Sequence, residues 1–204
     1  MKHAVLFAMI VGITVLPHTS LAAGTDADGD GIPDSAEPVL GTDPLNADSD
    51  GDGTNDLADK DPVNSSKKLA PDGAANGFTF TGKVEDNFDP KTKKGVSDHL
   101  ELEVTNTSKG DLTGFEVVYS LKDEKTNKVE TYYRDLKGVE IKVGKTGIIN
   151  FDDTKLPGHF RDNPNSSYRK SENSKMFTLQ LRASGFAPVA IEIHKDTGGA
   201  EKAD

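Results

Sequence analysis

The sequence predicts a mainly β protein, with an irregular N-terminal arm followed by an antiparallel β-sandwich. Two observations carry that expectation. From Phe78 to Ile193 short runs of alternating apolar and polar residues recur, and no apolar period of helical spacing appears among them. Ahead of them, residues 26–61 hold twelve acids against Lys60, and Pro38, Gly41 and Pro44 interrupt any regular element.

Each strand has its own pattern. Phe78, Phe80 and Val84 alternate with Thr79, Thr81 and Lys83, and Leu100, Leu102 and Val104 alternate with Glu101, Glu103 and Thr105. Half-buried strands require this, because successive side chains leave a strand on opposite faces. Phe115, Val117, Tyr119 and Leu121 form a third run, and DEKTNK then turns the chain into VETYYRDL, a predicted hairpin. Val139, Ile141 and Val143 lead through Gly144-Lys145-Thr146-Gly147 into Ile148-Ile149-Asn150-Phe151, a second predicted hairpin. Phe177, Leu179 and Leu181, then Val189, Ile191 and Ile193, close the set across Gly185-Phe186-Ala187-Pro188. About eight strands in about 120 residues predict two packed sheets, by fold-level analogy a Greek-key sandwich of immunoglobulin-like type, with a closed barrel as the alternative. The run TNTSKGDLTGFEVVYSLKDEKTNKVETYY is similar, in a generic way, to small accessory β-sandwich domains of exported bacterial proteins.

The arm contains two twelve-residue windows of one spacing. The first carries Asp26, Asp28, Asp30, Gly31, Ile32, Asp34 and Glu37; the second, 22 residues later, carries Asp48, Asp50, Asp52, Gly53, Thr54, Asp56 and Asp59. Calcium takes six to eight oxygens at about 2.3–2.6 Å, and a loop with acids at positions 1, 3, 5, 9 and 12 supplies them. Glycine at position 6 permits the sharp turn, and the position-7 carbonyl, of Ile32 or Thr54, adds a ligand. A disordered acidic linker has no reason to place acids twice in this register. Magnesium suits such a cage less well because it retains water, and transition metals lack His or Cys between residues 19 and 98. About two calcium ions are expected. Asp59 is shorter than Glu37, so the second site is expected to be the weaker. Asp43, Asn46 and Asp61 lie close enough to complete a shell or cap a turn.

DADGDGIPDSAEPVLGTDPLNADSDGDGTNDLADKDP resembles the thrombospondin type 3 repeat in a cysteine-free bacterial form, with paired DxDxDGxxD cores joined by GTDPLN. The resemblance implies little regular secondary structure, calcium in place of an apolar core, and ligands at Asp26, Asp28, Asp30, the Ile32 carbonyl, Asp34 and Glu37, then Asp48, Asp50, Asp52, the Thr54 carbonyl, Asp56 and Asp59. The disulfides of animal repeats are missing, since the chain has no cysteine. EF-hands and dockerin modules need helices beside their loops, which this punctuation opposes.

Residues 1–22 have a charged start, an apolar run and a small-residue exit, expected of a cleaved secretory signal. The expected organisation is then the repeat over 23–61, a Pro- and Ser-containing flexible linker over 62–76, the sandwich over 77–196 and a polar tail over 197–204. The arm carries a net charge of −11 and residues 62–204 balance to zero, so no basic stripe invites nucleic acid. The expected protein is secreted, periplasmic or at the cell surface, is not inserted in a membrane after cleavage, and presents its sandwich to a protein or glycan partner. An enzyme is the alternative. His99, His159 and His194 are isolated in sequence, and no HExxH, phosphate loop or nucleophile elbow occurs. The stretch from Asp152 to Lys175, with His159, Arg161, Asp162, Tyr168 and Arg169, is the place where a site or a solvated connection is expected.

Overall fold

A computed structural model describes residues 24–75, 77–84, 100–152 and 154–198. The expected signal segment, Asp98, His99, Asp153 and most of the expected polar tail lie outside the described residues. The alternating runs become strands β1 (Phe78–Val84), β2 (Leu100–Asn106), β3 (Phe115–Asp123), β4 (Val129–Leu136), β5 (Thr146–Phe151), β6 (His159–Phe160), β7 (Lys175–Arg182) and β8 (Val189–Lys195). One four-stranded sheet has the order β1-β2-β5-β6 and the other β4-β3-β7-β8. All pairings are antiparallel except the short β5–β6 contact. The chain crosses between sheets after β2, after β4 and after β6, which fits the sandwich expected from the pattern.

The core is what the alternation put inside. Leu102, Val104 and Ile149 from one sheet meet a layer containing Val117, Leu179 and Leu181 from the other, all fully buried. Tyr119 of β3 and Phe151 of β5 meet edge to face across the sheets, with ring centroids 5.5 Å apart. Tyr132 stacks on Tyr119 at 5.3 Å.

The first predicted hairpin forms as β3–β4, but the second does not. Both edges of β5 are taken, one by β2 in the register Leu102↔Ile149 and the other by β6. Val139–Val143 therefore has no strand to join there. Ile141 instead exchanges hydrogen bonds with Leu112, and the buried Asn106 side chain donates to the Ile141 carbonyl at 2.8 Å. The expected loose linker over 62–76 is also corrected. Val63 and Leu69 are buried, Ser65 and Val63 pair with Thr131 on the edge of β4, and Ala74 pairs with Gly185 and Ala187. Apolar residues spaced too far apart to show a period still anchor a segment when a sheet edge supplies the backbone partners.

Within residues 152–175, β6 and the one-turn helix α2 (Ser167–Lys170) replace an uninterrupted loop. The buried Glu130 carboxylate accepts from the Ser167 backbone N–H at 2.9 Å, and Arg169 reaches Asp162 at 3.0 Å. These contacts fix residues 161–165 beside the arm.

At the end of β7, Lys175 and Asp123 form a buried pair at 3.0 Å. Burial opposes ionisation of Asp123, but hydrogen bonds from Asn173, the Thr126 amide and Lys175 outweigh it and hold the carboxyl well below the usual range. A carboxyl held low stabilises the fold above its ordinary pKa of about 4 and loses that contribution as pH falls. Lys175→Met is expected to destabilise the protein by about 3–5 kcal/mol at pH 7, because it strands a buried charge. Urea midpoints at pH 7 and pH 3 check this: the gap between wild type and variant narrows at pH 3, and an undiminished gap contradicts the assignment.

Candidate metal centre

The arm folds by wrapping backbone around its own carboxylates. In each window the position-1 acid accepts from the position-6 glycine, Asp26 from Gly31 at 3.2 Å and Asp48 from Gly53 at 2.8 Å. Positions 3 and 5 accept from the amide two residues on: Asp28 from Asp30, Asp30 from Ile32, Asp50 from Asp52 and Asp52 from Thr54. Gly31 and Gly53 sit at φ 98° and 99°, a left-handed backbone that a side chain opposes. The position-9 acids close each loop: Asp34 accepts from Ala27, and Asp56 from the amide and hydroxyl of Ser49.

These bonds use one oxygen of several acids and leave others buried. Asp28 Oδ2, Asp30 Oδ2, Asp50 Oδ2 and both carboxylate oxygens of Glu37 are buried with no hydrogen-bond partner. Acidic oxygens converge within 4.8 Å of one another in three groups, Asp26–Asp28–Asp30, Asp48–Asp50–Asp52 and Asp30–Glu37–Asp56. Such a donor set, all oxygen and several-fold negative, fits a hard divalent cation. Burial pushes Glu37 up to about 7, with repulsion from Asp28 and Asp30 added and the nearby Thr42 hydroxyl opposing. Burial likewise lifts Asp50 to about 7, against the Asp52 amide and with repulsion from Asp52, Asp48 and Asp59. Asp28 and Asp56 are raised by burial as well. Asp52 is held low, chiefly by the Ser66 hydroxyl.

The expected ligands thus divide. The acids at positions 1, 3 and 5 come together in both windows. Asp34 lies outside the three groups, tied to Ala27, and Asp59 outside them too, although it faces Asp50 closely enough to repel it. Glu37 opens the one-turn helix α1 (Glu37–Leu40), which Pro38 starts and the left-handed Gly41 ends. Ile32 is buried and Thr54 exposed. The three residues near the windows make contacts of their own. Asn46 donates to the Asp48 carbonyl, Asp61 accepts from Asn64, and Asp43 receives a two-pronged hydrogen bond from Arg161 at 2.5 and 2.7 Å.

The arm is docked rather than free. Asn163 and Asn165 donate to the Gly41 and Thr42 carbonyls at 2.7 Å, Arg134 donates to the Ser49 carbonyl at 2.9 Å, and the Tyr133 amide of β4 donates to the Asp50 carbonyl at 2.7 Å. Gly51 lies so close to β4 that a Cβ there would stand 2.2 Å from the Tyr133 carbonyl oxygen. Sequence reasoning missed Arg134, Asn163 and Asn165. The adjacent Asn-Pro-Asn at 163–165 marks a turn, but nothing in it says what the turn faces.

Arg161, expected beside His159, leaves it for Asp43. His159 Nδ1 lies 2.8 Å from Asp152 Oδ2 and 2.6 Å from Thr154 Oγ1, and its Nε2 lies 3.3 Å from Asn150 Nδ2. His194 pairs with Glu124 at 3.0 Å on the surface.

No family model matches the chain, and no curated protein matches it. Among solved structures, the sandwich is similar to the putative ApaA protein from Bordetella pertussis, at 12% identity over 60% of this chain and 97% of that one, with TM-score 0.36. A DUF4426 family protein from Pseudomonas aeruginosa shows 15% identity over 62% of this chain and 94% of that one, with TM-score 0.32. Bacteroides uniformis β-glucuronidase 2 shows 12% identity over 60% of this chain and only 13% of its own length, with TM-score 0.31.

Two predictions follow from the geometry. Carboxyls raised to about 7 are protonated in the folded arm at pH 6, so calcium binding there is expected to release about two protons and to be weaker than at pH 8. Calorimetry at pH 6 in buffers of different ionisation enthalpy reads the release, and identical enthalpies contradict it. Gly51→Ala, at φ 82° and against β4, is expected to undock the arm. Amide exchange reports this as lost protection at Tyr133 with the β2 and β7 amides unchanged.

Proposed function

We propose that this is an exported calcium-binding protein in which cations are structural, organising a thrombospondin-type-3-like arm against a β-sandwich that binds a protein or glycan. The observation that carries the reading is the set of buried, unpartnered carboxylate oxygens of Asp28, Asp30, Glu37 and Asp50 inside groups of like charge. A divalent ion offsets both the repulsion and the lost hydration at once. Asp26, Asp28 and Asp30 hold one ion, with Ile32 and Glu37 as the assigned completing ligands. Asp48, Asp50 and Asp52 hold the other, with Thr54 and Asp59. Extracellular modules bind in the ~0.1–1 mM range, so at about 1 mM calcium each site contributes about 0.4–1.4 kcal/mol. That is modest for a sandwich and large for an arm with few apolar contacts.

Docking of the ligand-bearing loop on β4 makes the ions part of an edge cover for the second sheet, beside the pairing of Val63 and Ser65 with Thr131. For a partner, a groove of about 590 Å³ between residues 65–71 and the outer face of the second sheet combines the apolar Pro71 and Val118 with the polar Lys68, Thr178 and Gln180, a mixed lining of the kind a glycan or peptide uses. A hydrolytic reading would use His159 and Asp152. Contacts at both ring nitrogens, and the loss of Arg161 to Asp43, favour a structural role for that pair.

Calcium titrated into the whole chain is expected to bind saturably and raise the thermal midpoint, and Asp28→Ala combined with Asp50→Ala is expected to reduce both effects sharply by removing the two window sites. Absence of binding in the wild type by calorimetry overturns the reading.

A further inference from the structure

We propose that Asp30 and Glu37 of the first window and Asp56 of the second form a third cation site that bridges the two windows. Their carboxylate oxygens lie within 4.8 Å of one another, and the three residues are 5%, 0% and 3% exposed. A surface cluster of acids would be solvated, but this one is not. Both oxygens of Glu37 and Oδ2 of Asp30 are buried without a hydrogen bond of ordinary geometry, and the Thr42 hydroxyl is buried beside Glu37. Asp56 is oriented by Ser49, whose amide and hydroxyl donate to its two oxygens at 2.8 and 2.7 Å. Ser49 Oγ in turn accepts from the Asp43 amide at 2.6 Å, so the second window is held to the turn that follows α1.

The chemistry selects a hard cation of calcium's size. Three carboxylates and a hydroxyl supply oxygen only, and these ligands come from separated parts of the chain, which suits a large ion with flexible coordination better than a small one that demands an octahedron. Asp30 is shared with the first-window triad and Glu37 is also that ion's assigned completing ligand, so the two ions sit side by side and Asp56 brings the second window to the pair. The inference rests on the cation-binding reading, but not on its two-ion stoichiometry.

The test uses the whole chain with calcium as the probe. Equilibrium dialysis is expected to give about three ions for the wild type and about two for Asp56→Asn, which keeps an acceptor for the Ser49 amide and both window triads. An anomalous difference map from calcium-grown crystals is expected to show a peak among Asp30, Glu37 and Asp56. Two ions in the wild type with no peak there overturn this proposal and leave the two-window reading standing. No bound ion at all removes both. If Asp56→Asn does not fold, the position of the wild-type peaks decides alone.

Discussion

Carboxylates buried against one another without counter-charge are the constraint on which the arm depends. An arm of net charge −11 does not close by apolar burial, because Ile32 is the one large apolar side chain buried among residues 26–61, and Val39, Leu40, Leu45 and Leu57 are exposed. Its loops close because most of the acids use an oxygen to order nearby backbone, and the leftover oxygens gather in the three groups. Taking such groups out of water costs several kcal/mol per charge unless an opposite charge meets them. The same spacing that shapes the loop therefore creates the demand for a cation. Where a segment of this kind takes up an ion, its folding and its binding are coupled.

The sandwich and the arm solve complementary problems. The sandwich has an apolar core and an edge strand, β4, whose backbone groups need partners. The arm has ordered carbonyls at Gly41, Thr42, Ser49 and Asp50 but little interior of its own. Tyr133, Arg134, Asn163 and Asn165 join the two through main-chain carbonyls, leaving the acidic side chains free to face inward. Arg161 adds charge complementarity by taking Asp43, one of the acids outside the three carboxylate groups. The intervening segment lies along the same edge, so arm and strap together cover β4.

Most of the sandwich was legible because period-two alternation is a direct record of one buried face. Phe78, Leu102, Val117 and Leu179 all lie where their spacing puts them. The alternation does not say which strand pairs with which. Val139–Val143 alternates as well as any strand, yet β2 and β6 had already taken the edges of β5, and Asn106 satisfied the carbonyl at Ile141. Val63 and Leu69 are too sparse to give a period, so their burial was not readable.

The chain by itself determined the two acidic loops, since glycine at position 6 and acids at 1, 3 and 5 act over a few bonds and need only their neighbours. It also determined that the second half is β, for the same local reason. Only the tertiary structure decided that Glu37 and Asp56 meet across the windows, that Asp43 belongs to Arg161, and that the arm rests on β4. Each of those depends on residues far apart in the chain arriving at one place, and charge and hydrogen bonding then select among them by distance, which spacing along the sequence does not encode.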